Sequence, residues 1–410
     1  MHGSLALLGG VGLLLLGCAS AGARPERGTA RVRPGIEVVV ADSAHLLRGR
    51  RVGLVTNQTG VDSRGVSDVE VLRASGVTLV ALFSPEHGFR GAADPGEAVG
   101  FTRDSATGLP IYSLYGRTSS PTDSMLEGVD VMVVDLQDVG ARYYTYISTA
   151  VEVMRVSARL GRAVVILDRP DPIGGAVQGA MLDSAFTSFV GRLRVPMRHG
   201  LTMGEMARLA NEELGIGATL HVVPADGWTR AAYFDHTGLP FIPPSPNLRS
   251  LESLFHYPGT CLFEGTALSV GRGTDAAFEQ VGAPWLDTAR VLGIVRAAGL
   301  PGVAFSGVTF TPRRPGDGKF ADTALAGIRL RVTDRAAYDP TVTAVHLLAA
   351  IRDVHPEELG WNARHFDRLA GSSALRTALA SGAPPAAAVA GWAAAVAKFR
   401  ERTGKYRIYR

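Results

Sequence analysis

The chain is poor in cysteine. Cys18 and Cys261 are the only two in 410 residues, too few for a disulfide framework or a cysteine-based metal site. It is also poor in lysine. Lys319, Lys398 and Lys405 stand alone, and arginine supplies the rest of the 42 basic side chains. The formal charge of +4 is scattered, with no basic run interleaved with aromatics. Nucleic-acid binding therefore has no support, while an anionic substrate is permitted. The nucleotide fingerprints are missing too. The first strand-like run leads into Asn57-Gln58-Thr59-Gly60 rather than a G-x-G-x-x-G turn, and no Walker motif occurs. Gly271-Arg272-Gly273 follows no βαβ unit. Asp135, Asp138, Asp168 and His87 are metal-capable, but no H-x-x-x-H or D-x-D-x-D spacing joins them. No metal and no cofactor is expected.

What is present reads as globular: 46% hydrophobic and 20% charged residues in a length that suits two domains. The N-terminus stands apart. "LALLGGVGLLLLGCASAGA" is apolar, rich in glycine and ends in small residues, too short for a comfortable membrane span. Leu15-Leu16-Gly17-Cys18 has the form of a bacterial lipobox, which makes 1–18 a signal segment and Cys18 a lipidated mature N-terminus. A plain cleaved signal peptide is the alternative, and no Lys or Arg precedes the apolar run. Either way the chain is expected to be exported, lipid-anchored to the envelope or secreted. Residues 19–34 read as a solvated tether.

From Arg51 onward strands alternate with helices. "RVGLVT" (51–56), "VTLVALF" (77–83), "DVMVVDL" (130–136), "AVVILD" (163–168) and "TLHVVPA" (219–225) read as strands. "DVEVLRAS" (68–75), "YISTAVEVMRVSARLG" (146–161) and "TMGEMARLANEELG" (202–215) read as helices, the last with a Thr202/Glu205 capping box, and "SMLEGV" as the close of a short one. Near-continuous apolar strands between helices predict an α/β fold with a Rossmann-like parallel sheet over 35–230. The Pro-rich "PFIPPSPN" marks the passage to a smaller α+β domain, 231–410. There "GIRLRVTD" (327–334) reads as a strand, "TAVHLLAAIRDVHPEEL" (343–359) as a helix up to about His355, and the alanine-rich 380–399 as one Pro-started helix packing Trp392 and Phe399.

In open parallel sheets ligands bind at the carboxyl ends of the strands. The first four candidate strands deliver polar groups there, with carboxylates on three: Asn57 and Thr59; Ser84, Glu86, His87 and Arg90; Asp135, Gln137, Asp138, Arg142, Tyr143 and Tyr144; Asp168, Arg169 and Asp171. Several carboxylates with Tyr, Asn, Gln and Arg suit a polyhydroxylated substrate. Glycosidic cleavage needs a carboxylic acid to protonate the leaving oxygen and usually a second group to attack, activate water or steady the oxocarbenium charge. Glu86, between Phe83 and Phe89, suits a half-buried carboxylate; it also suits a simple turn cap. His87 could position Glu86, bind substrate or satisfy backbone. In the second half, Glu264 follows a short apolar run as Glu86 does, and glycine-flanked Arg272 could clamp a carboxylate.

The runs "GLVTNQTGVD", "LFSPEHGFRG", "VVDLQDVGARYYTYISTA", "ILDRPDPIGG", "PMRHGLTMGEMA" and "PPSPNLRSLESLFHYPGTCLFEGTALSVGRGTDAAFEQVGAPW" resemble the DUF1343 family of YbbC-like proteins, associated with NamZ-type exo-β-N-acetylmuramidases. The likeness runs from about Gly35 to Tyr409. It implies a cleft between a Rossmann-like domain and a smaller one. It also implies release of terminal β-1,4-linked N-acetylmuramic acid from the non-reducing end of peptidoglycan fragments. On this reading Glu86 is the general acid, with Glu264, Asp168, Asp135 or Asp138 as the second carboxylate, or the substrate's own acetamido group in its place. Asn57, His87, Arg142, Tyr143, Tyr144, His199 and Asn247 would line the sugar pocket. Arg90, Arg142, Arg198 and Arg272 are candidates for the lactyl carboxylate. The sequence departs from the family around 310–330, where Phe320 and Ala321 follow Lys319. A murein-binding lipoprotein without catalysis would use the same cleft, and a nucleotide-dependent enzyme is disfavoured by the missing glycine turn.

Overall fold

Apolar residues on both faces of a strand need cover on both sides, and the chain supplies it. The computed structural model describes residues 1–3, 31–94, 96–97 and 100–410. The signal segment with Cys18, and the tether up to residue 30, lie outside the described residues. The strands are β1 (Arg51–Thr56), β2 (Thr78–Ser84), β3 (Thr102–Arg103), β4 (Pro110–Ser113), β5 (Val131–Asp135), β6 (Ala163–Leu167), β7 (Gln178–Met181), β8 (Pro196–Arg198), β9 (Leu220–Val223), β10 (Gln280–Ala283), β11 (Val303–Phe310) and β12 (Leu325–Val332). The helices are α1 (Gly35–Asp42), α2 (Asp68–Ala74), α3 (Tyr146–Arg159), α4 (Met203–Glu213), α5 (Leu251–Thr260), α6 (Thr288–Ala297), α7 (Pro340–Val354), α8 (Ala363–Ala370), α9 (Ala374–Ala380), α10 (Pro385–Ala388) and α11 (Trp392–Arg402).

Seven strands form the main sheet in the order β3-β4-β2-β1-β5-β6-β9, every pair parallel except β3 with β4. Successive residues of one strand feed opposite cores. Val52, Leu54, Val131 and Val133 pack with Ile36 and Val39 of α1 and Leu72 of α2. Val55, Met132 and Val134 pack with Ile147, Val151 and Met154 of α3 and Met206 of α4. The sheet is thus covered on both faces, as the apolar runs predict. The chain moves from β1 outward to β2 and β4, then crosses to β5 on β1's other side. This places the topological switch beside the carboxyl ends of β1, β2 and β5. The Thr202/Glu205 capping box starts α4 as expected.

The remainder builds a three-stranded antiparallel sheet, β10-β12-β11. The apolar core runs without a break from α3 and α4 into Phe255, Tyr257, Phe278 and Leu347 of this part. Four features differ from the sequence reading. The segment before β1 is a helix, α1, whose first amide bonds the Asp168 carbonyl at 2.9 Å. The solvated tether ends before Arg31: Val32 is buried and its amide donates to Thr237, while Arg33 bridges Asp226. The alanine-rich helix is broken, because Gly391 adopts φ 84° between α10 and α11. Strands β10 and β11 went unread, since Gly282, Ser306 and Gly307 interrupt their apolar runs.

Candidate active site

A cavity of about 330 Å³ opens between the carboxyl edge of the large sheet and the loops of the second part. That is small for a ligand site and suits one sugar unit better than several. Glu86, His87, Tyr143, Tyr144, Glu264 and Arg272 all line it.

Glu86 lies two residues past the end of β2, beyond Pro85. The chain then turns sharply: His87 and Gly88 take φ 71° and 74° in succession. Glycine adopts that conformation freely, while a β-carbon makes it costly at His87. The turn is held from both ends, with the Ala93 amide bonding the His87 carbonyl at 3.1 Å and His87 Nδ1 meeting the Ala93 carbonyl at 2.9 Å. A carbonyl only accepts, so Nδ1 carries the proton and Nε2 keeps its lone pair. Burial lowers the His87 pKa, against the pull of Glu86. Glu86 itself is half-buried. Thr145 Oγ1 donates to its Oε2 at 2.7 Å and the Gly96 amide to Oε1 at 3.2 Å. The Tyr115 hydroxyl also reaches this carboxylate, and burial with the Glu86 charge keeps it protonated.

The aromatic wall is turned differently from the sequence expectation. Tyr143 and Tyr144 present ring faces, but their hydroxyls donate to the Pro258 and Pro244 carbonyls. They join the two parts of the chain and leave the cavity an apolar surface. Tyr257 stacks edge-on against Tyr143 and Phe278, continuing that surface.

Glu264 sits on the tight turn Cys261–Gly265 that follows α5. Arg272 Nε binds its Oε1 at 2.6 Å, and the guanidinium lies 5.0 Å over the Phe278 ring. Burial works to raise the Glu264 pKa, but the charge and hydrogen bond of Arg272, with Lys319 adding to them, lower it, so the group is an anion. Arg272 Nη1 is buried with no protein partner among the described residues. The Cys261 thiol, kept protonated by burial, points its sulfur at Glu264 Oε2 from 3.5 Å. Lys319 spends all three protons on backbone: the carbonyls of Glu264, Thr266 and Leu268 at 3.0, 2.7 and 2.9 Å.

The other sequence candidates do not reach the cavity. Asp168, expected as a catalytic carboxylate, is fully buried. It accepts from Thr202 Oγ1 and Tyr409 Oη at 2.6 Å and from the Gly204 amide at 2.8 Å, with burial raising its pKa to about 6. It fastens α4 and the chain's last residues to the sheet. Asp135 is locked to Arg169 by two bonds of 2.5 and 2.9 Å. Asp138 caps the Gly140 amide at 2.8 Å and lies 3.3 Å from His199, which is wholly buried. Arg142 is interior, its guanidinium bound to the Ala180, Val195 and Leu369 carbonyls, and burial lowers its pKa to about 10. Arg198 is interior as well, bound to Gln178 and the Ile173 carbonyl. Asn57 binds Tyr146 and Thr59. Asn247 is buried beside the lining residues Ser245 and Leu248. Arg90 is 74% exposed and, among the described residues, reaches only Asp104. These residues satisfy loop backbone at the strand ends, which is why their polarity resembled a binding edge. Conversely, Tyr115, Thr145, Lys319 and His365 line the cavity without having been singled out as its walls. Among the described residues no group of three or more His, Cys, Asp or Glu could hold a metal.

The arrangement puts one hydrogen-bonded carboxylate on the sheet side and one ion-paired carboxylate on the other, with aromatic faces between. Two family models match the chain. The model described as exo-β-N-acetylmuramidase NamZ, N-terminal, covers residues 52–252, and its C-terminal counterpart covers 255–409. Over 407 residues the chain is 40% identical to the peptidoglycan β-N-acetylmuramidase NamZ of Bacillus subtilis (strain 168), covering 97% of this chain and 98% of that protein. Two crystal structures of DUF1343 family proteins from Bacteroides fragilis are similar. One has a TM-score of 0.86 at 33% identity, the other 0.77 at 31%, each covering 93% of this chain and 99% of its own.

Proposed function

The chain belongs to the NamZ family of exo-β-N-acetylmuramidases, and from that premise we propose how its cavity performs the reaction. The protein is an exo-acting glycoside hydrolase, and its substrates are peptidoglycan-derived fragments from whose non-reducing end it releases terminal β-1,4-linked N-acetylmuramic acid. Glu86 is the general acid. The observation that carries this role is its fixed carboxylate: Thr145 and Gly96 hold it at the cavity from two sides. The proton passes to the glycosidic oxygen as the bond to the anomeric carbon breaks. Glu264, an anion on the other wall, steadies the positive charge that develops on the sugar ring. Water completes hydrolysis, with either Glu264 or the substrate's acetamido group assisting at the anomeric carbon. Tyr143, Tyr144, Tyr257 and Phe278 offer apolar faces for the sugar, and Arg272 offers Nη1 to its anionic substituent. Residues 35–230 contribute the acid and 231–410 the second carboxylate in this scheme.

The N-terminal segment supports export, with Cys18 as the lipidated residue and the enzyme anchored to the envelope on its periplasmic side, or secreted. Cys18→Ser is expected to move the protein from the membrane fraction to the soluble fraction. The catalytic reading is tested by Glu86→Gln. Turnover of a chromogenic β-muramide should fall at least about a thousandfold with the fold intact by circular dichroism. Retention of most activity would remove Glu86 from the acid's role.

A further inference from the structure

His365 lines the cavity on the same wall as Glu264 and Arg272. Its position follows from a close backbone approach. A β-carbon on Gly265 would lie 2.5 Å from Phe366 Cα, so only glycine lets the Glu264 turn rest on the start of α8. Asn362 caps that helix by accepting from the His365 amide at 3.2 Å. One turn on, Arg368 reaches back and places Nη2 2.8 Å from His365 Nδ1.

That contact settles the tautomer. A guanidinium has donors only, so Nδ1 must accept and the ring proton must sit on Nε2. Burial lowers the His365 pKa, which keeps the ring neutral near pH 7. Nε2–H has no protein partner among the described residues, and neither does Arg272 Nη1. Lys319 adds charge to this wall but no free proton. Two cations, Arg272 and Lys319, stand here with two carboxylates, Glu264 and, exposed at the mouth, Asp317. His87, on the facing side, has the other tautomer and offers a lone pair.

We propose that His365 is a specificity-determining residue whose Nε2–H, together with Arg272 Nη1, binds the lactyl carboxylate that distinguishes N-acetylmuramic acid from N-acetylglucosamine. This rests on the muramidase reading above. An anionic substituent fits this wall because it carries two donors, His365 Nε2–H and Arg272 Nη1, that have no protein partner among the described residues.

The test compares binding of N-acetylmuramic acid and N-acetylglucosamine by titration calorimetry, with β-muramide turnover measured in parallel. His365→Leu removes the donor, His365→Gln retains one, and Arg368→Met frees the tautomer. His365→Leu should weaken the muramic acid about tenfold, the effect of one hydrogen bond to a charged group. It should leave N-acetylglucosamine within about twofold. The glutamine variant should recover most of the loss, and Arg368→Met should fall between. Equal weakening of both sugars, or no change in either, would overturn the assignment. Failure of the unaltered protein to cleave the β-muramide would overturn the muramidase reading instead, whatever the variants bind.

Discussion

The Thr145 hydroxyl donates to Glu86 Oε2 at 2.7 Å across a separation of 59 residues. It couples the loop after β5 to the turn after β2, and so sets the direction in which the acid faces. Thr145→Val should leave a carboxylate free to rotate. The expected result is a loss of about ten- to a hundredfold in kcat with KM nearly unchanged, because the sugar's binding surfaces are untouched. Thr145→Ser should restore most of the rate. A rise in KM with kcat intact would mean that Thr145 binds substrate rather than orients Glu86.

Arg272 and Glu264 are predicted to be coupled in stability as well as in function. Their side chains are 11% and 15% exposed, so neither charge is well solvated without the other. Arg272→Met strands the Glu264 anion and should cost about 3–5 kcal/mol. Adding Glu264→Gln should recover part of that loss, because the uncompensated charge is then gone. Urea unfolding of the two single variants and the double variant gives the coupling. Strict additivity would mean that the pair does not act as a unit. Turnover should stay low in the double variant, since the second carboxylate is absent from it.

The sheet was legible because its signal is local. Each buried strand is a short β-branched run, and the Thr202/Glu205 spacing is the capping box itself. Which polar residue at a strand end faces the cavity was not legible, because a displacement of two residues decides it. Asp135 is the last residue of β5 and meets Arg169 from the next loop. Glu86 lies two residues beyond β2, past a proline, and reaches open space. The same kind of sequence therefore gives one structural ion pair and one candidate acid. The partners of Glu86 and Glu264 are distant in the chain, and no periodicity reports them. His365 and Arg368 were closer to legible, since their spacing places them on one helix face. What made them part of the cavity was the missing β-carbon of Gly265, whose meaning depends on the helix packed against it.

Lys319 is predicted to hold a cavity wall rather than to touch substrate. Its ammonium joins three carbonyls of the segment Glu264–Leu268 to a loop in which Arg314, Phe320 and Asp322 all have positive φ, from 45° to 56°. Backbone of that kind persists only when its surroundings enforce it. Lys319→Met should release the loop and raise KM about tenfold, with a smaller change in kcat. Arginine should not substitute, because a planar fork cannot place three protons on converging carbonyls. Trypsin cleavage after the exposed Arg313 provides the structural readout and should accelerate in Lys319→Met. Unchanged cleavage together with unchanged KM would show that the loop holds itself.

The buried cluster beneath the cavity predicts how stability varies with pH. Asp171 Oδ1 accepts from the Ile173 amide at 3.1 Å, while Oδ2 has no partner among the described residues. Burial raises its pKa to about 7, although the nearby His199 and Arg198 pull the other way. His199 is itself raised: burial opposes its charge, but Asp138 and Asp171 outweigh that effect. Both groups therefore hold protons in the folded chain that the unfolded chain would already have released. Each contribution is complete below that group's own unfolded pKa and is lost as pH rises through its folded one, about 7 for Asp171. Asp171→Asn keeps an oxygen for Ile173 and removes the titration. At pH 8 it should stabilise the protein by about 1–3 kcal/mol relative to the unaltered chain, and at pH 5 by much less. Urea unfolding at pH 5, 6.5 and 8 measures the difference. A shift of the same size at all three values would mean that Asp171 does not change its protonation on unfolding in this range. The cluster would then owe its effect to packing around Gly140, whose added β-carbon would lie 2.6 Å from Asp171 Oδ1.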